Sequence, residues 1–233
     1  MSADMAENTQ NTEKTPGARF LTLPGVYAPQ HDTRLLMSAL NRETIGPGTE
    51  VLDVGTGSGA LALHAAQLGA RVTAVDVAWR ALMTARLNAL LHRRRITVQR
   101  SDLLTALPGR SYDLVICNPP YVPSPKAGLP VRGAARAWEA GRDGRAVLDR
   151  ICETAPAALR PGGRLLLVHS GLCDSEVTVR RLTDAGLQAR VADRAFVPLG
   201  PVLRSRLSWL RETGLVSEGD MTEELVVIRA EQA

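Results

Sequence analysis

The apolar positions of this chain fall into short dense runs rather than long stripes. Segments 50–54, 70–75, 96–99, 112–117 and 165–168 are rich in Val, Ile, Leu and Ala and hold few charges. That is the pattern of strands buried on both faces of a sheet. Helical periodicity separates them, first in residues 60–66 (ALALHAA), so strand and helix alternate through Val168 as a parallel sheet requires. Pro161-Gly162-Gly163 introduces the fifth strand. Beyond it, residues 176–185 read as a helix closed by Gly186, and segments 187–191 and 224–229 read as two further strands. Residues 202–215 are amphipathic and predict a helix or hairpin insert. Upstream, residues 26–45 hold an amphipathic helix through Leu35, Leu36, Ala39 and Leu40, expected to start near Asp32 as its cap and to end at Gly46-Pro47-Gly48. Residues 1–18 are polar and predict a disordered tail, leaving 19–233 as one α/β domain without internal repeats.

Two turns carry candidate chemistry. The first is Asn118-Pro119-Pro120-Tyr121, directly after the strand 112–117. Its prolines remove two backbone donors and fix two φ angles, so the turn is stiff. It can hold one carboxamide, one carbonyl and one aromatic face in fixed relation. That set suits a planar NH2 on a π system, whose N–H groups bond to the carbonyl oxygens while the ring stacks on its plane. A plain Pro-rich surface turn is the alternative.

The second turn is Gly55-Thr56-Gly57-Ser58-Gly59, which joins the strand 50–54 to the helix 60–66. Strand, Gly-rich turn and helix form the nucleotide-binding half of a doubly wound sheet. The next strand ends at Asp76, about 20 residues past the glycines, where a carboxylate can take the two hydroxyls of a ribose. The third ends at Ser101-Asp102, where an acid can reach an adenine amino group. Gly55, Gly57 and Ala60 also fit a dinucleotide spelling, but Asp53 before the glycines would repel a pyrophosphate and suits the ammonium of S-adenosylmethionine. Each acid also has an ordinary structural reading: Asp53 as a cap or turn residue, Asp76 and Asp102 as strand-end turn acids.

With these motifs assembled, the chain resembles the class I S-adenosylmethionine-dependent methyltransferases of the HemK type, which methylate the side-chain nitrogen of glutamine in translation release factors. The matching residues are 26–36 (VYAPQHDTRLL), 53–59 (DVGTGSG), Asp76, Asp102, 118–121 (NPPY) and 137–145 (AWEAGRDGR). The likeness is to the short branch, which carries no N-terminal helical substrate domain; His31 stands where that branch usually has an acid. The resemblance implies a Rossmann-like seven-stranded sheet with its last strand antiparallel. It implies Asn118, Pro119, Pro120 and Tyr121 as catalytic residues. For the cofactor it implies Thr33, Asp53, Gly55, Gly57, Asp76 and Val77, with Asp102, Leu103 and Asn118. For the acceptor it implies Tyr27, Asp32, Tyr121 and Trp138. Asp32 also reads as a plain helix N-cap, and the Gly-rich 141–144 as a loop capping the next helix at Asp143. Short-branch relatives work with a small zinc-binding activator on a sheet edge, here the strand 96–99.

Adenine N6 in DNA or RNA presents the same planar NH2 and is the runner-up acceptor; a tailoring methyltransferase with the loop 122–136 reshaped around its substrate is a third reading. Composition bears on these. Aromatics are 3% of the chain, too few for a broad base-stacking platform. The formal charge is +4, and all but Lys14 and Lys126 of the 28 basic residues are arginine. Arg93-Arg94-Arg95 reads as a solvated helix end, with phosphate contact as the alternative. Cys117, Cys152 and Cys173 have neither metal nor redox spacing and fit a reducing cytoplasm. No apolar run is long enough to span a bilayer.

Overall fold

The structure, a computed structural model, describes residues 20–104, 109–126 and 128–233. The expected tail 1–18 lies outside these residues. Helix α1 spans His31–Leu40 and is followed by β1 (Glu50–Val54), α2 (Ala60–Gln67), β2 (Arg71–Asp76), α3 (Trp79–Leu91) and β3 (Thr97–Arg100). Then come β4 (Tyr112–Cys117), α4 (Ala146–Ala158), β5 (Leu159–Ser170), α5 (Ser175–Asp184) and β6 (Leu187–Pro198). The chain closes with α6 (Pro201–Ser205), α7 (Leu207–Glu212) and β7 (Thr222–Gln232). One seven-stranded sheet has the order β3-β2-β1-β4-β5-β7-β6. β1 pairs in parallel with β2 and β4, β2 with β3 and β4 with β5, while β7 runs antiparallel to both of its neighbours.

Alternation along the buried strands divides the core between two faces. Val51, Leu114, Ile116, Leu166 and Val168 pack with α1 and α2 through Leu36, Leu40, Leu61 and Ala65. Leu52, Val115, Leu165, Leu167 and Ile228 pack with α4 and α5 through Leu148, Ile151 and Leu182. Helices on both faces explain why these strands read as nearly continuous apolar runs. A third, smaller cluster joins Leu199, Leu203, Leu210 and Val216 to Val122, so the insert 202–215 is helical and packs beside the segment that follows the Asn-Pro-Pro-Tyr turn.

The register places the chemistry. Val54 is level with both Val75 and Cys117, so the glycine turn, Asp76 and Asn118 leave the sheet at the same edge. The strand order reverses between β1 and β4, and a crevice opens at such a switch point.

The structure corrects several expected boundaries. The first helix is capped by Gln30, not Asp32, and ends at Leu40. Asp32 sits inside its first turn, and its carboxylate faces inward to hydroxyl donors. β5 begins at Leu159, because Pro161-Gly162-Gly163 forms an irregularity within the strand: the pairing moves from Tyr112↔Leu159 to Leu114↔Arg164. α4 is capped by Arg145 without a side-chain bond; Asp143 instead accepts the Arg145 N–H at 2.9 Å. Among the described residues no helix is long and apolar enough to cross a membrane.

Candidate active site

A cavity of about 750 Å³ opens at the C-terminal edge of β1, β2 and β4. The glycine turn forms its floor. Gly55, Gly57 and Gly59 have φ of +71°, +53° and +82°, a left-handed path that side chains with a Cβ adopt only under strain. Gly59 has a second constraint, since a Cβ there would lie 3.0 Å from that of Ala85 on α3.

Asp76 lines the cavity and holds the turn's shape. Its Oδ2 accepts the Gly57 N–H at 3.0 Å and its Oδ1 the Ala78 N–H at 2.8 Å. Burial raises its pKa above the ordinary carboxylate value; these N–H groups and the charge of Arg136 oppose the rise. Val77, Asp102 and Leu103 line the same end, with Leu103 at φ +52°. Asp102 accepts from Arg150 at 2.8 Å.

Asp53, expected to meet the cofactor's ammonium, lies beneath the glycine turn. It is fully buried and is not among the lining residues. Its Oδ2 accepts the Thr56 hydroxyl at 2.6 Å and the Ala62 N–H at 3.1 Å, tying the turn to the first turn of α2, while Oδ1 has no partner. Burial pushes its pKa up to about 7 against those two donors.

A wall of the cavity comes from the segment before α1, including Pro24, Tyr27 and Pro29. Asn88 of α3 holds that segment down. Its side-chain amide pairs with both the N–H and the carbonyl of Leu21, each at 2.9 Å, and donates to the Ser58 carbonyl at 2.8 Å. One buried amide thus joins the N-terminal segment, α3 and the glycine turn.

The reaction end is organised around Asp32, which is almost wholly buried. Tyr27 and Tyr121 donate their hydroxyls to its Oδ2 at 2.9 and 3.0 Å. The Thr33 N–H and hydroxyl donate to its Oδ1 at 2.5 and 3.1 Å. Burial, with the Asp32 charge second, raises both tyrosine pKa values far above the ordinary one, so both rings stay hydroxyl donors. The same Thr33 oxygen accepts from Asn118 Nδ2 at 3.5 Å. Because the Thr33 proton is turned to Asp32, its lone pairs face the Asn118 amino group. Among the described residues Asn118 Oδ1 is left as a buried acceptor without a partner. Pro119, Pro120, Tyr121 and Trp138 line the cavity beside it. Trp138 is held by its carbonyl, which accepts the Val122 N–H at 2.7 Å.

The structure therefore brings Tyr27, Asp32, Thr33, Gly55, Gly57, Asp76, Val77, Asp102, Leu103, the Asn-Pro-Pro-Tyr turn and Trp138 to one cavity and leaves Asp53 beneath it. It also adds Glu223 near Asp32, which sequence reasoning missed. Burial pushes its pKa up to about 7, opposed by a bond from Ser170 and reinforced by Asp32; its Oε2 has no partner.

Comparison with known proteins finds methyltransferases. Residues 17–131 match the Methyltransferase small domain. A putative protein N5-glutamine methyltransferase of Methanocaldococcus jannaschii is 30% identical over 78% of this chain and 91% of its own length. Mouse methyltransferase HEMK2 is 36% identical over 72% of this chain and 82% of its own. This chain belongs to the HemK-type glutamine methyltransferase family. It is an S-adenosylmethionine-dependent enzyme with the class I methyltransferase fold. Among solved structures, the E. cuniculi Mtq2–Trm112 complex, described as responsible for methylating the eRF1 translation termination factor, aligns over 90% of this chain and 99% of that one. The two share 25% identity, with a TM-score of 0.62. As a HemK-type enzyme the chain has a site whose residues fit the cofactor: a glycine floor open to close approach, a strand-end carboxylate in Asp76, and a cavity running from there to Asn118.

Proposed function

We propose that this enzyme methylates the side-chain nitrogen of a glutamine in a translation release factor, and that it does so in the cytoplasm. The observation that carries this reading is the unpaired Asn118 Oδ1 beside the Pro119 carbonyl and the Tyr121 ring. S-adenosylmethionine supplies a methyl group already activated on a sulfonium, so the protein's own task is positioning and charge stabilisation. An amide nitrogen is a poor nucleophile because its lone pair is delocalised. Accepting its N–H bonds at Asn118 Oδ1 and the Pro119 carbonyl pushes electron density back onto nitrogen and stabilises the positive charge that develops there. Tyr121 keeps its ring over the amide plane because its hydroxyl is fixed by Asp32. The methylated nitrogen is strongly acidic, and its excess proton leaves to water without a dedicated base.

A small activator protein, zinc-binding in type, fits the β3 edge of the sheet. Among the described residues β3 pairs on one side only, with β2. Beside it α3 exposes Met83, Leu87, Leu90 and Leu91, an apolar stripe at helical spacing. An unpaired edge with an apolar flank is a template for strand addition by a partner. The Mtq2–Trm112 assembly supports this reading by likeness.

Tritiated S-adenosylmethionine offered with the cognate release factor, its acceptor Gln→Ala variant and total nucleic acid tests the assignment. Label on the release factor that disappears with the variant is expected. Label on nucleic acid would replace it with adenine methylation.

A further inference from the structure

Two carboxylates line the acceptor end of the cavity, and neighbouring groups engage both; Glu223, near Asp32, is not among the lining residues. Asp32 receives the four donors described above, which matches the roughly four lone-pair sites of a carboxylate. Glu139 follows Trp138, lies on the short bridge to Val122, and is buried in the cavity wall. It forms an ion pair with Arg206 Nη2, and Arg206 Nη1 donates to the Pro123 carbonyl at 2.8 Å. Arg206 belongs to the helical insert. It lies between α6 and α7, and the insert is anchored by Leu203 and Leu210 packing against Val122. The insert therefore reaches back to the two residues after Tyr121 and neutralises the carboxylate beside the acceptor slot.

Resting on the glutamine reading, we infer that Arg206 is a specificity-determining residue that makes the slot select a neutral amide over a lysine ammonium of similar reach. A glutamine amide enters with neutral partners waiting, Asn118 Oδ1 and the Pro119 carbonyl. A lysine ammonium is strongly hydrated and, once desolvated, needs a counter-charge. With Glu139 held by Arg206 and Asp32 saturated, neither carboxylate is left to supply one. Removing Arg206 frees the Glu139 carboxylate for a cation; removing the Glu139 charge frees Arg206 for an anion.

The test titrates full-length enzyme, loaded with S-adenosylhomocysteine, with the cognate release factor carrying Gln, Lys or Glu at the acceptor position, and reads Kd. The wild type is expected to prefer Gln to both. Arg206→Met should raise the Lys-to-Gln affinity ratio about tenfold, as expected for one charge-assisted hydrogen bond. Glu139→Gln should raise the Glu-to-Gln ratio by about the same factor. The double variant should return both ratios to wild type, which a merely loosened loop would not do. A thermal scan reports whether Arg206→Met folds; if it does not, Glu139→Gln decides alone. Unchanged ratios in an enzyme that methylates glutamine overturn this inference and leave the glutamine reading standing. A wild type that neither binds nor labels the Gln substrate overturns both.

Discussion

Gly144 lies directly against the Tyr121 carbonyl. It has φ +71°, and a Cβ placed on it would overlap that oxygen and sit 2.7 Å from Cys173 Sγ. The same oxygen accepts from the Cys173 thiol at 3.1 Å, so the end of the Asn-Pro-Pro-Tyr turn rests on a glycine and a buried cysteine. Gly144→Ala should move Tyr121 and, through it, the acceptor slot. A displacement near 1 Å is expected to lower kcat by roughly a hundredfold. Left-handed strain and overlap should cost about 1–3 kcal/mol of stability. Single-turnover methyl transfer and denaturant unfolding of the variant check both figures.

Asn118→Ala removes the unpaired acceptor and leaves the glycine floor intact. Turnover should fall by about two to three powers of ten, as when one preorganised polar group of an oxyanion-type site is lost. Cofactor affinity should change only a few-fold. Calorimetry with S-adenosylmethionine beside steady-state kinetics separates the two effects; near-wild-type turnover would refute the proposed role of the carboxamide.

Asn88→Ala should act in the opposite sense. It leaves the Leu21 N–H and carbonyl and the Ser58 carbonyl without their partner. The wall at Pro24 and Tyr27 then loses its anchor, and the dissociation constant for S-adenosylmethionine should rise by about tenfold, the size of one or two lost hydrogen bonds. At saturating cofactor, kcat should stay within a few-fold of wild type. Kinetics at low and high cofactor concentration distinguish the outcomes.

Asp53 and Glu223 set a pH dependence of stability. Burial raises each pKa to about 7, from ordinary values of 3.8 and 4.5. Both carboxyls hold their protons more tightly folded than unfolded. The stability they contribute is complete below pH of about 4 and is lost as pH rises through about 7. Asp53→Asn keeps an acceptor for Thr56 and Ala62 and removes the titration. The slope of unfolding free energy between pH 5 and 7 should become shallower in the variant by up to about 1.4 kcal/mol per pH unit, the limit for one proton. Urea midpoints across that range measure it.

The parts of the site that were legible in the sequence are those whose chemistry is local. Asn118 to Tyr121 and Gly55 to Gly59 are contiguous, and Asp76 follows the glycine turn at a spacing dictated by one βαβ unit. The supporting residues have no such signature. Asn88 reaches Leu21 across 67 positions, Arg206 reaches Glu139 across 67, and Tyr121 meets Asp32 across 89. A lone Asn in a helix or a lone Arg between two helices acquires meaning only when the fold closes. Asp53 is legible only in part. Its place before the glycines suggests a ligand contact and does not show that its side chain lies beneath the turn, where it holds Thr56 and the start of α2. Asp32 reads both as an acceptor-site residue and as a helix cap, because the sequence shows the helix start but not the two tyrosine hydroxyls that draw its carboxylate inward.

The reversed strand β7 sets the order in which this protein can be assembled. Among the described residues β6 has no partner except β7, and the outer edge of β5 is paired only by β7 as well. While the chain is being synthesised, both edges stay open until residues 222–232 have emerged. β7 then pairs with both of these edges. Because β7 runs backwards, the residue near its start, Glu223, is delivered to the reaction end in the same step. A truncation within β7 would therefore strip β6 of its partner, bare the outer edge of β5 and remove Glu223 from beside Asp32, so the strand that locks the fold also completes the surroundings of the catalytic end.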